Sequence, residues 1–178
     1  MIYLAPEGVD HRPDADPLSA CSGAAGVLMC SAQNSILDGF RALADRTLRN
    51  SLDGAGVREL CDRLSAYLTL REEVVLPVVA GLLTGPKLRE RFDECVIEHY
   101  AVRFLFETLE GDSPEDHLFR AKLSVLHRSF ARHVRFEQRF LFAALGVETG
   151  ALLDGAIRRS GIRLEPVPRL SLVTGSDG

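Results

Sequence analysis

Four long stretches of this chain carry apolar residues at alternating steps of three and four, and this periodicity constrains the fold more than any other feature. The stretches run from Ile36 to Thr47, from Val57 to Val78, from Leu88 to Leu109 and from Phe119 to Ala144. Steps of three and four place side chains on one face of an α-helix, so each stretch predicts a helix with one apolar seam. No comparable alternation of apolar and polar residues, the pattern of a strand, is present. The sequence therefore predicts an all-α protein.

Short links that contain glycine or proline separate the four predicted helices. Gly111 closes the third helix, and Asp112 or Ser113 is predicted to cap the fourth, with Pro114 in its first turn. Because short links make successive helices antiparallel neighbours, we expect an up-down-up-down antiparallel four-helix bundle. Pro77 lies inside the second helix, where its missing N–H predicts a kink or an early end.

The chain of 178 residues has the length of one domain. Changes in composition and periodicity divide it into three parts. Residues 1–30 hold prolines and runs of small residues, which predict an irregular N-terminal arm. Residues 31–160 hold the bundle and a short fifth helix, Ala151–Ser160. Residues 161–178 contain proline and glycine but no periodicity, and we expect a flexible tail.

Charge and hydropathy exclude several classes of partner. With 21 Lys and Arg against 25 Asp and Glu, the net charge is −4, which argues against a nucleic-acid partner. No run approaches the roughly 20 apolar residues that a membrane span needs, and the N-terminus lacks the pattern of a secretory signal. Four cysteines in a chain of this length do not make a disulfide framework, so we predict a cytoplasmic protein with reduced thiols.

Four polar residues interrupt the apolar seams near the middle of their helices: Arg71, His99, His133 and Glu137. An ionised carboxylate that is buried without a partner is costly, so Glu137 needs a partner. His133 lies one helical turn before Glu137, and both can face one metal ion together with His99. Alternatively, the guanidinium of Arg71 pairs with Glu137 without any metal, and the histidines are ordinary core side chains.

These residues carry a resemblance to a known family. The segment 133–142, HVRFEQRFLF, resembles the last-helix motif of the hemerythrin-like cation-binding (HHE) domain, in which H-x-x-x-E-E precedes an apolar run. Glu98 and His99 look like the third-helix E-H pair of that family, and the segment 71–77, REEVVLP, is similar to its second-helix ending. The resemblance covers roughly residues 31–160. It implies an antiparallel four-helix bundle of hemerythrin type with a two-iron site that binds oxygen or handles peroxide, nitric oxide or iron.

The chain departs from the family pattern at several ligand positions. The residues that match the pattern are His99, His133 and Glu137. Phe40 falls at the position of the first-helix histidine, and Tyr67 and Arg71 fall at those of the second-helix histidine and glutamate. Glu72 is one residue away, but a one-residue step rotates it by roughly 100° off the seam. Half of the two-iron ligand set is missing, so a standard reversible oxygen carrier is not expected.

Two further residues, Cys95 and Tyr67, are candidate ligands of a single metal ion. Cys95 lies one turn before His99, so Cys95, His99, His133 and Glu137 could form a four-ligand site for one iron or zinc ion. Tyr67 could act as a phenolate ligand to ferric iron. The structural alternatives are that Cys95 packs as a small apolar side chain and that Tyr67 packs its ring in the core.

The resemblance and its departures leave three functions open. The first is an altered hemerythrin-like protein with one iron or zinc ion at most, a redox-responsive module whose ligand is a small oxidant or another small molecule. The second is a metal-free structural or protein-interaction bundle with a core ion pair between Arg71 and Glu137. The third is an enzyme of specialised metabolism that uses the bundle pocket.

A row of arginines on the fourth helix lies mostly off the seam: Arg128, Arg132, Arg135 and Arg139. Such a row is typical of a solvated helix face. Its functional alternative is phosphate binding, because guanidinium groups pair with phosphate oxygens through two parallel hydrogen bonds.

Overall fold

A computed structural model describes residues 23–48, 54–142 and 147–164 of the chain. The helices are α1 (Gly23–Leu48), α2 (Gly54–Leu70), α3 (Leu76–Leu82), α4 (Pro86–Glu110), α5 (Phe119–Phe136) and α6 (Val147–Ser160). A π-helical segment, Arg71–Val75, joins α2 to α3, and a second one, Glu137–Phe142, follows α5. These ranges contain no strand, so the prediction of an all-α protein is confirmed for them.

The helices pack around one apolar core. α1 lies against α2, α5 and α6, and α4 lies against α5. α6 also contacts α3 and the first π-helical segment, so the short last helix is part of the packing. The predicted seams supply much of the core, for example through Ile36, Leu64, Val102 and Leu126, each of which is almost fully buried.

α1 begins earlier than the sequence predicts. The irregular arm is predicted to reach residue 30, but the helix starts at Gly23. The backbone N–H of Ala25 donates to the carboxylate of Asp154 on α6, which satisfies one of the free donors of the first turn. Ala25 and Met29 are buried against the core, so packing and this cap stabilise the added turns. Residues 1–22 and 165–178 lie outside the described residues.

α5 begins later than predicted, because residues 112–118 form turns. The Asp116 carboxylate accepts the backbone N–H of Ser113 at 3.0 Å, and Oγ of Ser113 accepts the backbone N–H of Glu115 at 3.3 Å. These reciprocal bonds resemble a capping box, but they close a turn that precedes α5. Asp112 forms an ion pair at 2.5 Å with Lys122 and caps no helix. The α-helix starts only at Phe119, so Ser113 caps the preceding turn, and the prediction that Asp112 or Ser113 caps α5 itself is wrong.

The irregularity predicted at Pro77 takes the form of a wider turn just before it. Proline cannot donate the backbone hydrogen bond that continues an α-helix, and the preceding residues, Arg71–Val75, are π-helical. The chain remains helical from α2 through α3. The last helix, α6, is also longer than predicted, since it begins at Val147 and not at Ala151.

The structure tests two predictions made from composition, which concern membrane spans and the cysteines. None of the helices in the described ranges is long and apolar enough to cross a membrane. Cys30 is disulfide-bonded, whereas Cys61 and Cys95 are free thiols. The prediction of reduced thiols throughout is therefore wrong at Cys30.

The turn before α4 requires a backbone conformation that only glycine adopts easily. Gly85 has φ +93° and ψ 148°. The change Gly85→Ala should lower the free energy of unfolding by about 1–3 kcal/mol, because alanine strains the backbone at this φ. A steric clash does not contribute, since an added Cβ meets no atom within 4 Å. Gly81→Ala is the matched control, because its Cβ also meets nothing within 4 Å but the residue lies in α3. It should stabilise the protein by about 0.5–1 kcal/mol. Urea unfolding measures both, and equal effects would contradict the role of Gly85.

Candidate functional site

The five predicted site residues come together in one buried cluster. They are Tyr67 on α2, Cys95 and His99 on α4, His133 on α5, and Glu137 at the start of the second π-helical segment. Each has a relative exposure of 0%. The local reason is the helical repeat, because Tyr67 and Arg71, Cys95 and His99, and His133 and Glu137 are each one turn apart on one face.

The Glu137 carboxylate is the centre of the cluster. Its Oε1 forms an ion pair with Nη2 of Arg71, which is also fully buried, so the predicted pair is confirmed. Its Oε2 accepts hydrogen bonds from the Tyr67 hydroxyl at 2.8 Å and from Nε2 of Gln33 at 2.7 Å. The thiol of Cys95 lies 3.6 Å from Oε1. Both carboxylate oxygens therefore have partners on several helices.

The charges of the pair stabilise each other. Burial raises the pKa of Glu137, but Arg71, the neighbouring His133 and the Tyr67 hydrogen bond outweigh it and hold that pKa well below its ordinary value. Burial lowers the pKa of Arg71, but the Glu137 carboxylate outweighs it and the pKa is raised. Arg71 and Glu137 therefore remain ionised together near neutral pH.

The other two acidic groups beside Glu137 are neutral in this environment. Burial, followed by the negative charge of Glu137, raises the pKa of the Cys95 thiol to about 12. The same two influences raise the pKa of Tyr67 well above its ordinary value. Neither a thiolate nor a phenolate forms at neutral pH unless another cation comes close to these groups.

Three of the side chains have the geometry of a metal site. Ligand atoms of Cys95, His133 and Glu137 all lie within 4.8 Å of one another, and the three residues are buried. Nδ1 and Nε2 of His133 have no hydrogen-bond partner, although Nε2 lies 3.3 Å from Oε1 of Glu137. A buried imidazole without a well-aligned hydrogen bond is costly, and a metal ion would give one of its nitrogens a partner. This group could bind a single metal ion.

Arg71 contacts the same donors that a metal ion would use. Its Nη2 lies 3.6 Å from Sγ of Cys95 and forms the ion pair with Oε1 of Glu137. A guanidinium and a metal ion repel each other strongly at such distances in a buried site. A metal ion therefore fits the donor set only when the guanidinium moves away from these two atoms.

His99 does not join the three metal donors. Its Nε2 lies 3.0 Å from Oε1 of Glu72, and its ring centroid is 5.7 Å from that of His133. Glu72 is partly exposed and is not one of the three donors, as its position one residue off the seam predicts, but its carboxylate still reaches His99 from the edge of the cluster. The four-ligand arrangement predicted with His99 is not assembled in this structure.

The sequence reasoning missed Gln33, which is fully buried and is the contribution of α1 to the cluster. Its amide nitrogen donates to both Glu137 and the Tyr67 hydroxyl. Phe40, predicted at the ligand position of α1, instead stacks on His127 at 5.0 Å. A signal was present, because one further step of three upstream of Ile36 on the predicted seam reaches Gln33.

Comparison of the chain with protein-family models, with curated proteins and with solved structures finds no match.

The buried pair should control stability. Glu137→Gln leaves the Arg71 charge without its counterion, and we expect a loss of about 3–5 kcal/mol in the free energy of unfolding. The double change Arg71→Met with Glu137→Leu removes both charges and should restore most of that loss. Urea unfolding in buffer with a metal chelator measures both.

The exposed ion pair between Arg91 and Glu94 provides the matched control. Because exposed pairs contribute little, Glu94→Gln should change stability by less than about 1 kcal/mol. A Glu137→Gln protein as stable as the Glu94→Gln protein would refute the importance of the buried pair.

His99 should make stability depend on pH. Burial, followed by the charge of Arg71, lowers the pKa of His99 from 6.5 to about 4, against the opposing hydrogen bond to Glu72. The unfolded chain therefore takes up a proton at higher pH than the folded protein does, and stability should fall as pH decreases from about 6.5 to about 4. The low pKa of Glu137 adds a loss only below its ordinary value of 4.5.

Unfolding curves across this range in chelator measure the effect. The decline between pH 6.5 and 4 should be shallower in His99→Gln, since the titrating group is gone. His117→Gln, at an exposed position in the turns before α5, should keep the decline of the parent. Parallel profiles for His99→Gln and the parent would show that His99 does not cause it.

Proposed function

We propose that this chain is a hemerythrin-like antiparallel four-helix bundle with an altered interior site, which binds one transition-metal ion through Cys95, His133 and Glu137. The observation that carries the proposal is the convergence of these donors, from α4, α5 and the second π-helical segment, within 4.8 Å. The imidazole of His133, whose nitrogens make no well-aligned hydrogen bond, adds support. So do the two π-helical segments, because π-helical turns are frequent at functional sites.

The donor set favours zinc or ferrous iron. Sulfur, imidazole nitrogen and carboxylate oxygen are ligands that both ions accept, and three protein ligands leave a position for an exogenous ligand. A ferrous ion would supply redox chemistry toward a small oxidant such as peroxide. Tyr67 and Gln33 hold Oε2 of Glu137, which fixes the carboxylate and leaves Oε1 directed at Cys95 and His133.

A metal-free bundle is the second candidate, and the position of Arg71 favours it. The guanidinium already supplies a positive charge to Oε1 of Glu137 and contacts the Cys95 thiol. In this case the ion pair replaces the metal, and the protein acts as a structural or protein-interaction module. The two candidates differ in a single property, which is whether a metal ion displaces Arg71.

Metal titration of the protein purified without chelator tests the first candidate. We expect one Zn²⁺ or Co²⁺ ion per chain, with thiolate-to-cobalt absorption that disappears in Cys95→Ser. Cys61→Ser is the matched control, because Cys61 is the other free thiol of the described residues and lies outside the cluster. It should bind metal as the parent does.

Arg71→Gln separates the two candidates. Removing the competing cation should raise metal affinity about tenfold or more, and metal should recover the stability that the unpaired Glu137 costs. Elemental analysis and unfolding curves with and without Zn²⁺ measure both effects. If neither the parent nor Arg71→Gln retains metal after reconstitution, the metal-site proposal fails and the ion-paired bundle stands.

A further inference from the structure

A surface groove between α1 and α5 is separate from the buried donors and has an unusual charge. Its volume is about 780 Å³. All of its charged lining residues are arginines: Arg41 from α1 and Arg128, Arg132 and Arg135 from α5. The groove is therefore basic, although the chain as a whole has a net charge of −4.

The positive charge of the groove is only half compensated. Arg41 pairs with Asp38 at 2.7 Å, and Arg132 pairs with Glu98 at 3.0 Å. Arg128 and Arg135 form no ion pair with any residue in the described ranges. Four guanidinium groups and two carboxylates thus leave two positive charges in excess.

The arginines are arranged along one line. Arg128, Arg132 and Arg135 follow steps of four and three, so they share a face of α5 and span about 10 Å. Arg41 lies on the opposite wall. The groove is also lined by apolar side chains, which include Leu37, Val125, Ala131 and Val134.

The positive potential of the groove affects the pKa of His127. Burial, and then the charges of Arg41 and Arg128, lower its pKa below the ordinary value of 6.5. Its ring stacks on Phe40 with an angle of 13° between the planes, which fixes it at the wall of the groove. At neutral pH the groove therefore presents guanidinium cations beside a neutral imidazole.

We propose that this groove binds a small organic phosphate monoester, with the phosphate on Arg128 and Arg135 and an apolar group between Leu37 and Val125. A phosphate monoester carries close to two negative charges at neutral pH, which matches the excess charge. Guanidinium groups bind such oxygens through paired hydrogen bonds. The volume lies in the range of small-molecule sites.

The groove is also linked to the buried cluster. Gln138 lines it and donates a hydrogen bond at 2.9 Å to Oε1 of Gln33, whose nitrogen holds Glu137. A ligand that hydrogen-bonds Gln138 acts one side chain away from the buried carboxylate. Phosphate binding itself depends only on surface arginines, so it can succeed or fail independently of the metal site.

Isothermal titration calorimetry with phenyl phosphate tests the proposal on the full chain. We expect a Kd of about 1 mM or tighter, which weakens as salt is added. Inorganic phosphate should bind more weakly because it lacks the apolar group, and phenol should not bind. The double change Arg128→Gln with Arg135→Gln should weaken phenyl phosphate binding by about tenfold or more.

Arg158→Gln with Arg159→Gln is the matched control, since these exposed arginines lie on α6, away from the groove. It should bind phenyl phosphate as the parent does, and circular dichroism checks that every variant is folded. No binding by the parent, or equal loss in both double variants, would overturn the proposal. Binding of a single-stranded oligonucleotide without binding of phenyl phosphate would also overturn it, in favour of a nucleic-acid surface.

Discussion

The burial of one charged pair is the constraint on which the rest of this interior depends. Two charges removed from water cost less when each provides the counterion of the other. Nε and Nη1 of Arg71 nevertheless have no hydrogen-bond partner. Arg71 and Glu137 lie far apart in the chain, so the helices that carry them must pack in one register. Tyr67, Gln33 and Cys95 then complete the surroundings of the carboxylate. The pair thereby ties α1, α2, α4 and α5 to a common centre.

Both members of the pair begin a π-helical segment. A π turn holds more residues than an α turn and changes the direction of the side chains that follow it. On the first segment, Arg71 is fully buried, while the next residue, Glu72, reaches His99 from a partly exposed position. Arg71 therefore lies in the core, and Glu72 contacts the cluster from its edge. The irregular backbone positions the buried charges.

One cation at a time can occupy the centre of the cluster. The guanidinium and a metal ion need the same carboxylate oxygen and the same sulfur, and their repulsion in a buried site is large. Access of a metal ion to these donors therefore depends on the position of the Arg71 guanidinium. The amides of Gln33 and Gln138 extend this hydrogen-bond network to the basic groove, so the two regions share a chain of contacts without sharing ligands.

The sequence by itself determined the helices, the polar residues on their seams and the need of Glu137 for a partner, but it left open whether that partner is a metal ion or Arg71. Helical periodicity is local, and a lone carboxylate on an apolar seam demands a counterion. The tertiary structure alone decided that Gln33 replaces Phe40 at the cluster, that Glu72 reaches His99, and where α1 and α5 begin. Two of these features depend on contacts between distant segments: Asp154 caps α1 from α6, and Gln33 on α1 donates to Glu137. The residue pattern of one helix does not determine where the neighbouring helix lies.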